Sequence, residues 1–200
     1  MSNYTKIAAD TFQKLQLNAG VICTKFDVTK PAEIADENIL FATSGGANFT
    51  AVPTYTDYGE DIDNCPTNMM ELKRLDSWEV KLAGTALSID ANSAKLLTGA
   101  ADVSGTAVKP RNDVDLSDFS EIWWVGEYGQ SGCLAIRLMN ALSTGGFALQ
   151  TGNKAKGTFE FELTGHYSMD AQDTPPFEIH TLGATTTTTT TSSTSTKASN

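Results

Sequence analysis

Residues 158–167 alternate without a break. Phe159, Phe161, Leu163, Gly165 and Tyr167 fall on one side, and Thr158, Glu160, Glu162, Thr164 and His166 on the other. A period of two places successive side chains on opposite faces of an extended chain, so this stretch reads as a strand with one buried face. The same period runs through Trp78, Val80, Leu82, Gly84 and Ala86, set against Glu79, Lys81, Ala83, Thr85 and Leu87. Leu134, Ile136, Leu138 and Leu142 mark a third strand, running from Gly132 to about Ala141. Shorter candidates lie at 19–27, 37–42, 47–56, 106–109, 119–128, 146–151 and 177–181. The clusters Ser44-Gly45-Gly46 and Thr151-Gly152-Asn153 supply turn chemistry between them. Only 90–99 reads well as a helix: Asp90 caps it, Ala91, Ala94 and Leu97 share a face, and Gly99 ends it. A weaker helical turn is expected over Ala9–Leu15. Many strands, one short α-helix and no strand-helix-strand alternation predict an all-β sandwich or barrel, not a parallel nucleotide-binding sheet.

The chain of 200 residues suffices for one domain with a sizeable core. Composition changes at Gly183: from Thr185 onward the residues are almost all Thr and Ser, with no large apolar side chain to offset ordering entropy. The expected division is a folded domain over 1–182, with an N-terminal arm at 1–18, and a flexible Thr/Ser-rich extension over 183–200. A net charge of −10 opposes gripping of phosphate backbones or anionic membranes. No run approaches the roughly 18 apolar residues of a membrane helix, and the first residues lack the basic-then-apolar pattern of a secretory leader. Cys23, Cys65 and Cys133 are odd in number and far apart, which predicts reduced, mostly buried thiols.

No constellation for catalysis emerges. His166 and His180 have no Cys or His at ligand spacing and read as surface or edge residues. Asp57, Glu60, Asp61 and Asp63 lack the alternating oxygen donors and terminal Glu of a calcium loop, so a solvated or subunit-contacting loop is the better reading. Ser44-Gly45-Gly46 precedes a strand, not a helix N-terminus, and does not cradle phosphate. Gly129-Gln130-Ser131-Gly132 reads as a hairpin turn. Trp123 and Trp124 point to opposite faces, which predicts one core indole and one outward-facing or interfacial indole. That outward indole, with the Thr/Ser tail as linker, motivates one alternative, a carbohydrate-binding β-sandwich. Neither reading needs a metal or cofactor.

Whole segments resemble a known family. They are 42–64 (ATSGGANFTAVPTYTDYGEDIDN), 75–87 (LDSWEVKLAGTAL) with the helix that follows, 110–113, 119–128 (FSEIWWVGEY), 140–147 and 156–168 (KGTFEFELTGHYS). Over roughly 17–180 the chain resembles the tail tube proteins of siphophages that infect Gram-positive hosts. The resemblance implies a β-sandwich or barrel flanked by a helix, which assembles into a β-lined hexameric ring. Rings stack into a virion tail assembled in the host cytoplasm, and DNA passes through the lumen without specific binding. The implied partners are other copies of the chain, the tape measure protein, the tail terminator and the baseplate or initiator proteins. Glu160 and Glu162, opposite an apolar face, are expected to line the lumen. Ring stacking is expected from the arm before Gly20, the loop Thr56–Met70 and the segment Met169–Leu182. The residues singled out there are Leu17, Tyr58, Glu60, Asp61, Asp63, Asp170 and Phe177.

Overall fold

The computed structural model describes residues 7–31, 34–129 and 132–183. The expected flexible tail beyond Gly183 and residues 1–6 of the expected arm lie outside them. Strands β1 (Val21–Cys23), β2 (Ile39–Phe41), β3 (Thr43–Asp57), β4 (Lys73–Ala86), β7 (Ser120–Tyr128), β8 (Gly132–Ser143), β9 (Ala148–Gln150), β10 (Thr158–Gly165) and β11 (Phe177–Leu182) form one nine-stranded antiparallel sheet. A separate hairpin joins β5 (Ala101–Ser104) to β6 (Ala107–Pro110), and α1 (Ala91–Thr98) is the single α-helix among the described residues. The expected architecture class, β-rich with one short helix, is the observed one. No helix among the described residues is long and apolar enough to cross a membrane.

The sheet branches at β8. Its first part, Cys133–Leu138, pairs with β11, and Ala141–Ser143 pairs with β10. Between them the register against β7 skips: Ile122 faces Leu138 while Ser120 faces Ala141, and Asn140 takes φ 47°. An extra residue bends and twists a strand, which is how a sheet turns a corner. Asn140 tolerates the left-handed conformation, and its amide donates to the His166 carbonyl at 2.9 Å, fixing the bend. The wing β2-β1-β7-β8-β11 therefore folds over the wing β3-β4-β10. Aromatic pairs across the gap show the contact: Phe41 with Phe161 (centroids 5.1 Å apart), Phe49 with Phe177 (5.9 Å) and Trp78 with Phe177 (5.3 Å).

The alternation read from 158–165 and 78–86 places Phe161, Leu163, Val80, Leu82 and Ala86 in the core with Ile22, Ile122, Leu138 and Leu97. Three readings change. Ser44-Gly45-Gly46 is not a turn but a bulge inside β3, with both glycines at positive φ and the register jumping from Ser44 to Ala47. Strand β4 begins at Lys73, before the expected start, because its first residues bury neither face and so carry no alternation. Ala101–Ser104, not expected as a strand, pairs with β6 around a Gly105 turn.

The two indoles also depart from expectation. Trp124 is 9% exposed in the main core and Trp123 is 4% exposed in a second, smaller one. Phe26, Val28 and Ile34 from the segment after β1 cover Trp123, so β7 is buried on both faces and this pair presents no indole for sugar stacking.

Helix α1 is held as the sequence predicts. Asp90 accepts the Ser93 N–H at 2.7 Å, and the Gly99 N–H donates to Lys95 and Leu96 carbonyls. A polar clasp ties β5–β6 to the body. Arg111 Nη2 lies 2.6 and 2.7 Å from the buried Asp118 carboxylate, Nε lies 3.0 Å from Asp102, and Nη1 pairs with Asp115. The Asp115 N–H, then the guanidinium, hold the Asp118 carboxyl below the usual carboxylate range.

Candidate assembly surfaces

Opposed residues of an antiparallel pair share a face, so the register defines the outer surface of the β3-β4-β10 wing. Across β10 and β4, Glu160 faces Thr85, Glu162 faces Ala83 and Thr164 faces Lys81. Across β4 and β3, Ala83 faces Asn48, Lys81 faces Thr50 and Glu79 faces Val52. The surface is small and polar. Gly46, Ala47, Ala83, Gly84 and Ala148 floor a shallow concavity of about 650 Å³. Glu160 is exposed and Glu162 half-buried on this outer side, as their alternation with Phe161 and Leu163 requires. Lys81 Nζ lies 2.8 Å from Glu79 and 3.9 Å from Glu162. The hydrogen bond that Lys81 donates to Glu79, then the charge of Glu162, raise the lysine's pKa. The face thus presents three carboxylates and one ammonium, which Glu79 and Glu162 already engage.

The free edge of this wing is β3. It pairs with β4 and, among the described residues, with nothing on its other side. Such an edge offers a row of backbone donors and acceptors to another chain, and sequences commonly blunt it with charge, shortness or proline. Strand β3 is fifteen residues long and carries no charged side chain before Asp57. Pro53, the glycine bulge and a second register shift between Thr54 and Tyr55 interrupt it.

Beyond Pro53 and Trp78 the β3–β4 hairpin leaves the core. Tyr55, Leu75, Tyr58, Ile62 and Met70 are all exposed there. The loop between the strands is nonetheless ordered at its neck, where Asp57 accepts N–H groups from Gly59 at 2.9 Å and Asn68 at 2.7 Å. Those two bonds lower the Asp57 carboxyl's pKa. Glu60, Asp61 and Asp63 are exposed in this loop, and the Tyr58 hydroxyl accepts from Arg74 at 3.3 Å. The hairpin thus carries an apolar and acidic tip above a hydrogen-bonded neck.

The other singled-out residues separate. Leu17 is exposed on the arm, where its N–H donates to the Glu127 carbonyl at 3.2 Å. Asp170 is exposed beside a groove lined by Leu116, Phe119 and Met169. Phe177, expected at a ring contact, sits instead against Phe49 and Trp78, because β11 closes the corner and turns that ring inward. His166 stacks edge-on against Phe119, and His180 lies over Trp123 with its Nε2 3.2 Å from Glu178. Cys23 is buried, which pushes its thiol up to about 11, while Cys65 and Cys133 are half-buried; all three are free.

Sequence reasoning missed the open β3 edge, although its signal, fourteen residues from Thr43 to Thr56 without a charge, was readable. It also missed the Leu116–Met169 groove, because those two residues lie 53 positions apart on separate loops. No protein-family model matches the chain, and no curated protein matches it.

Proposed function

We propose that the chain is the protomer of a bacteriophage tail tube: a structural protein that closes into rings, sixfold on the resemblance described above, which stack into a conduit for DNA. The observation that carries this reading is β3, a long, uncharged edge strand flanking a wing whose outer face is small, polar and acidic. An edge of that kind is an aggregation hazard in a monomer and an asset in a closed ring, where a neighbour's strand satisfies it. With the β3-β4-β10 face turned inward, Glu79, Glu160 and Glu162 repel phosphate and Lys81 is already engaged. DNA then slides without a strong contact. The exposed hairpin tip, with Tyr55, Tyr58, Ile62, Met70 and Leu75, reaches a neighbouring copy. Assembly in the host cytoplasm, with tape measure, terminator and initiator proteins as partners, follows from the same reading, and no reaction is assigned.

Negative-stain electron microscopy over a range of protein and salt concentrations tests it. Rings or hollow tubes of uniform width are the expected result. A chain that stays monomeric even when tail initiator proteins are supplied overturns the proposal.

A further inference from the structure

A cleft of about 190 Å³ opens between α1 and the first residues of β7. Leu40 of β2, Leu96 of α1 and the fully buried Ile122 of β7 make its apolar side. Helix and strands are fixed around it. The Ser93 hydroxyl donates to the Leu40 carbonyl at 3.1 Å, and the Asp118 carboxylate is held by the Arg111 clasp. The space is therefore preformed, and none of its lining residues belongs to the β3-β4-β10 wing or to the hairpin tip. At about 30 Å³ of liquid volume per water, it has room for a small organic molecule.

Donors crowd its polar side, which Asn92, Lys95, Ser117 and Ser120 line. Ser120 Oγ is buried and has no hydrogen-bond partner among the described residues. A buried hydroxyl left unpaired costs stability, so such a group points to something that pairs with it. Among the described residues the Lys95 ammonium reaches only Asp118, at 4.0 Å, which is beyond hydrogen-bond range. That carboxylate, the one acid lining the cleft, already has its donors. Both Asp118 oxygens accept from Arg111 Nη2, and Oδ2 also accepts the Asp115 N–H at 2.9 Å. A ligand that completes the set supplies an oxyanion for Lys95 and Ser120 and an apolar body for Leu40, Leu96 and Ile122.

We infer that the cleft is a binding site for a small aliphatic carboxylate. Its carboxylate accepts from Lys95 Nζ and Ser120 Oγ, and its chain packs on Leu40, Leu96 and Ile122. Water in the same space would satisfy Ser120 but would leave the apolar side without a partner. The site goes beyond the tube reading and is independent of it, because it needs no second copy of the chain.

Ligand-observed saturation-transfer NMR with butanoate tests the site, on single copies and assemblies alike. Saturable transfer to the butanoate protons is the expected result. Butan-1-ol, which keeps the chain and lacks the charge, should bind at least about tenfold more weakly, the loss of one charge-assisted hydrogen bond. Lys95→Met keeps the stem and removes the ammonium, and should weaken butanoate by about the same factor. Ser120→Ala should weaken it about threefold. The melting temperature of the ligand-free Ser120→Ala chain should hold or rise, because the hydroxyl removed has no partner to lose. No saturable transfer, parent-like affinity in either variant, or butan-1-ol binding as tightly as butanoate overturns the site. The comparison of butanoate with butan-1-ol uses the unaltered chain, so it decides the matter even where a variant fails to fold. Butanoate binding by a chain that never assembles would overturn the tube reading alone.

Discussion

The two halves of the β3–β4 hairpin share one chain segment and one ladder, yet they differ in what they bury. In the proximal half, Phe49, Val80 and Leu82 face the opposite wing. In the distal half, from Thr54 and Ser77 outward, Tyr55 and Leu75 are paired with each other and exposed. An isolated two-stranded ribbon is marginal in water, so the distal half persists only because the proximal half is locked. The other exposed hairpin, β5–β6, is held differently, by Arg111 and its three aspartates. One hairpin is therefore clasped to the body, whereas the other stands off it with apolar side chains facing solvent. Among the described residues no comparable clasp holds the distal ribbon, and on the tube reading it is the part that reaches a neighbouring copy.

The largest effect should separate the two halves outright. Leu82→Ala removes a fully buried side chain and is expected to cost about 3 kcal/mol, roughly 6–12 °C in melting temperature for a domain of this size. Leu75→Ser is expected to stay within about 0.5 kcal/mol of the parent while lowering assembly measured by light scattering. Equal losses of stability in calorimetry would mean that the distal half belongs to the fold and not to an interface.

The clasp should rank next. Asp118→Ala removes the buried one of Arg111's three carboxylate partners and strands the Asp115 N–H, an expected loss of about 2 kcal/mol. The clasp also has a pH signature. The folded Asp118 carboxyl has a lowered pKa, so its stabilisation is present above the unfolded value of about 3.9 and is lost as pH falls through the folded value. Chemical denaturation between neutral pH and pH 3 should therefore show a steeper acid loss for the parent than for Asp118→Asn. Parallel curves would remove the clasp from the account of β5–β6.

This contrast between packed and unpacked segments also explains what was legible in the sequence. Period-two patterning reports a difference in burial between faces, so β10 and the proximal part of β4 were plain. Residues 73–77 bury neither face and 122–125 bury both, so neither shows the alternation, and strand β4 read short while one of the two adjacent indoles read as outward-facing or interfacial. The cover over Trp123 did leave a trace in Phe26 and Val28, but nothing local says which face they meet. The outer position of Glu160 and Glu162 was readable because it depends only on parity. The fate of Phe177 was not, because it depends on the corner at Asn140. The groove was invisible for a related reason: Leu116 and Met169 meet only after β7, β8 and β10 are in place.

Edge and face should separate in the smallest stability effects. Val52→Lys adds a charge to the open strand where no partner side chain is buried, so its stability cost should lie within about 0.5 kcal/mol. Its assembly should nevertheless fail in sedimentation, because a charged edge rejects a neighbouring strand. Unchanged assembly would take β3 out of the ring seam.

Glu160→Lys with Glu162→Lys should disturb neither fold nor assembly, because neither carboxylate closes the core or sits at the edge. Glu162 does accept from the Thr144 hydroxyl at 3.1 Å, but that bond is exposed, and its loss should cost no more than about 0.5 kcal/mol. What should change is the sign of the face, from three carboxylates and one ammonium to one carboxylate and three ammoniums. On the tube reading, tubes of this variant retain short duplex DNA at low salt and release it at high salt, while parent tubes retain none, because phosphate neutralisation is salt-dependent. Retention that is equal in both, or that resists salt, would mean that the β3-β4-β10 face does not line the channel. The distal hairpin could still join neighbouring copies in that case, so this experiment separates the inward orientation of the wing from assembly itself.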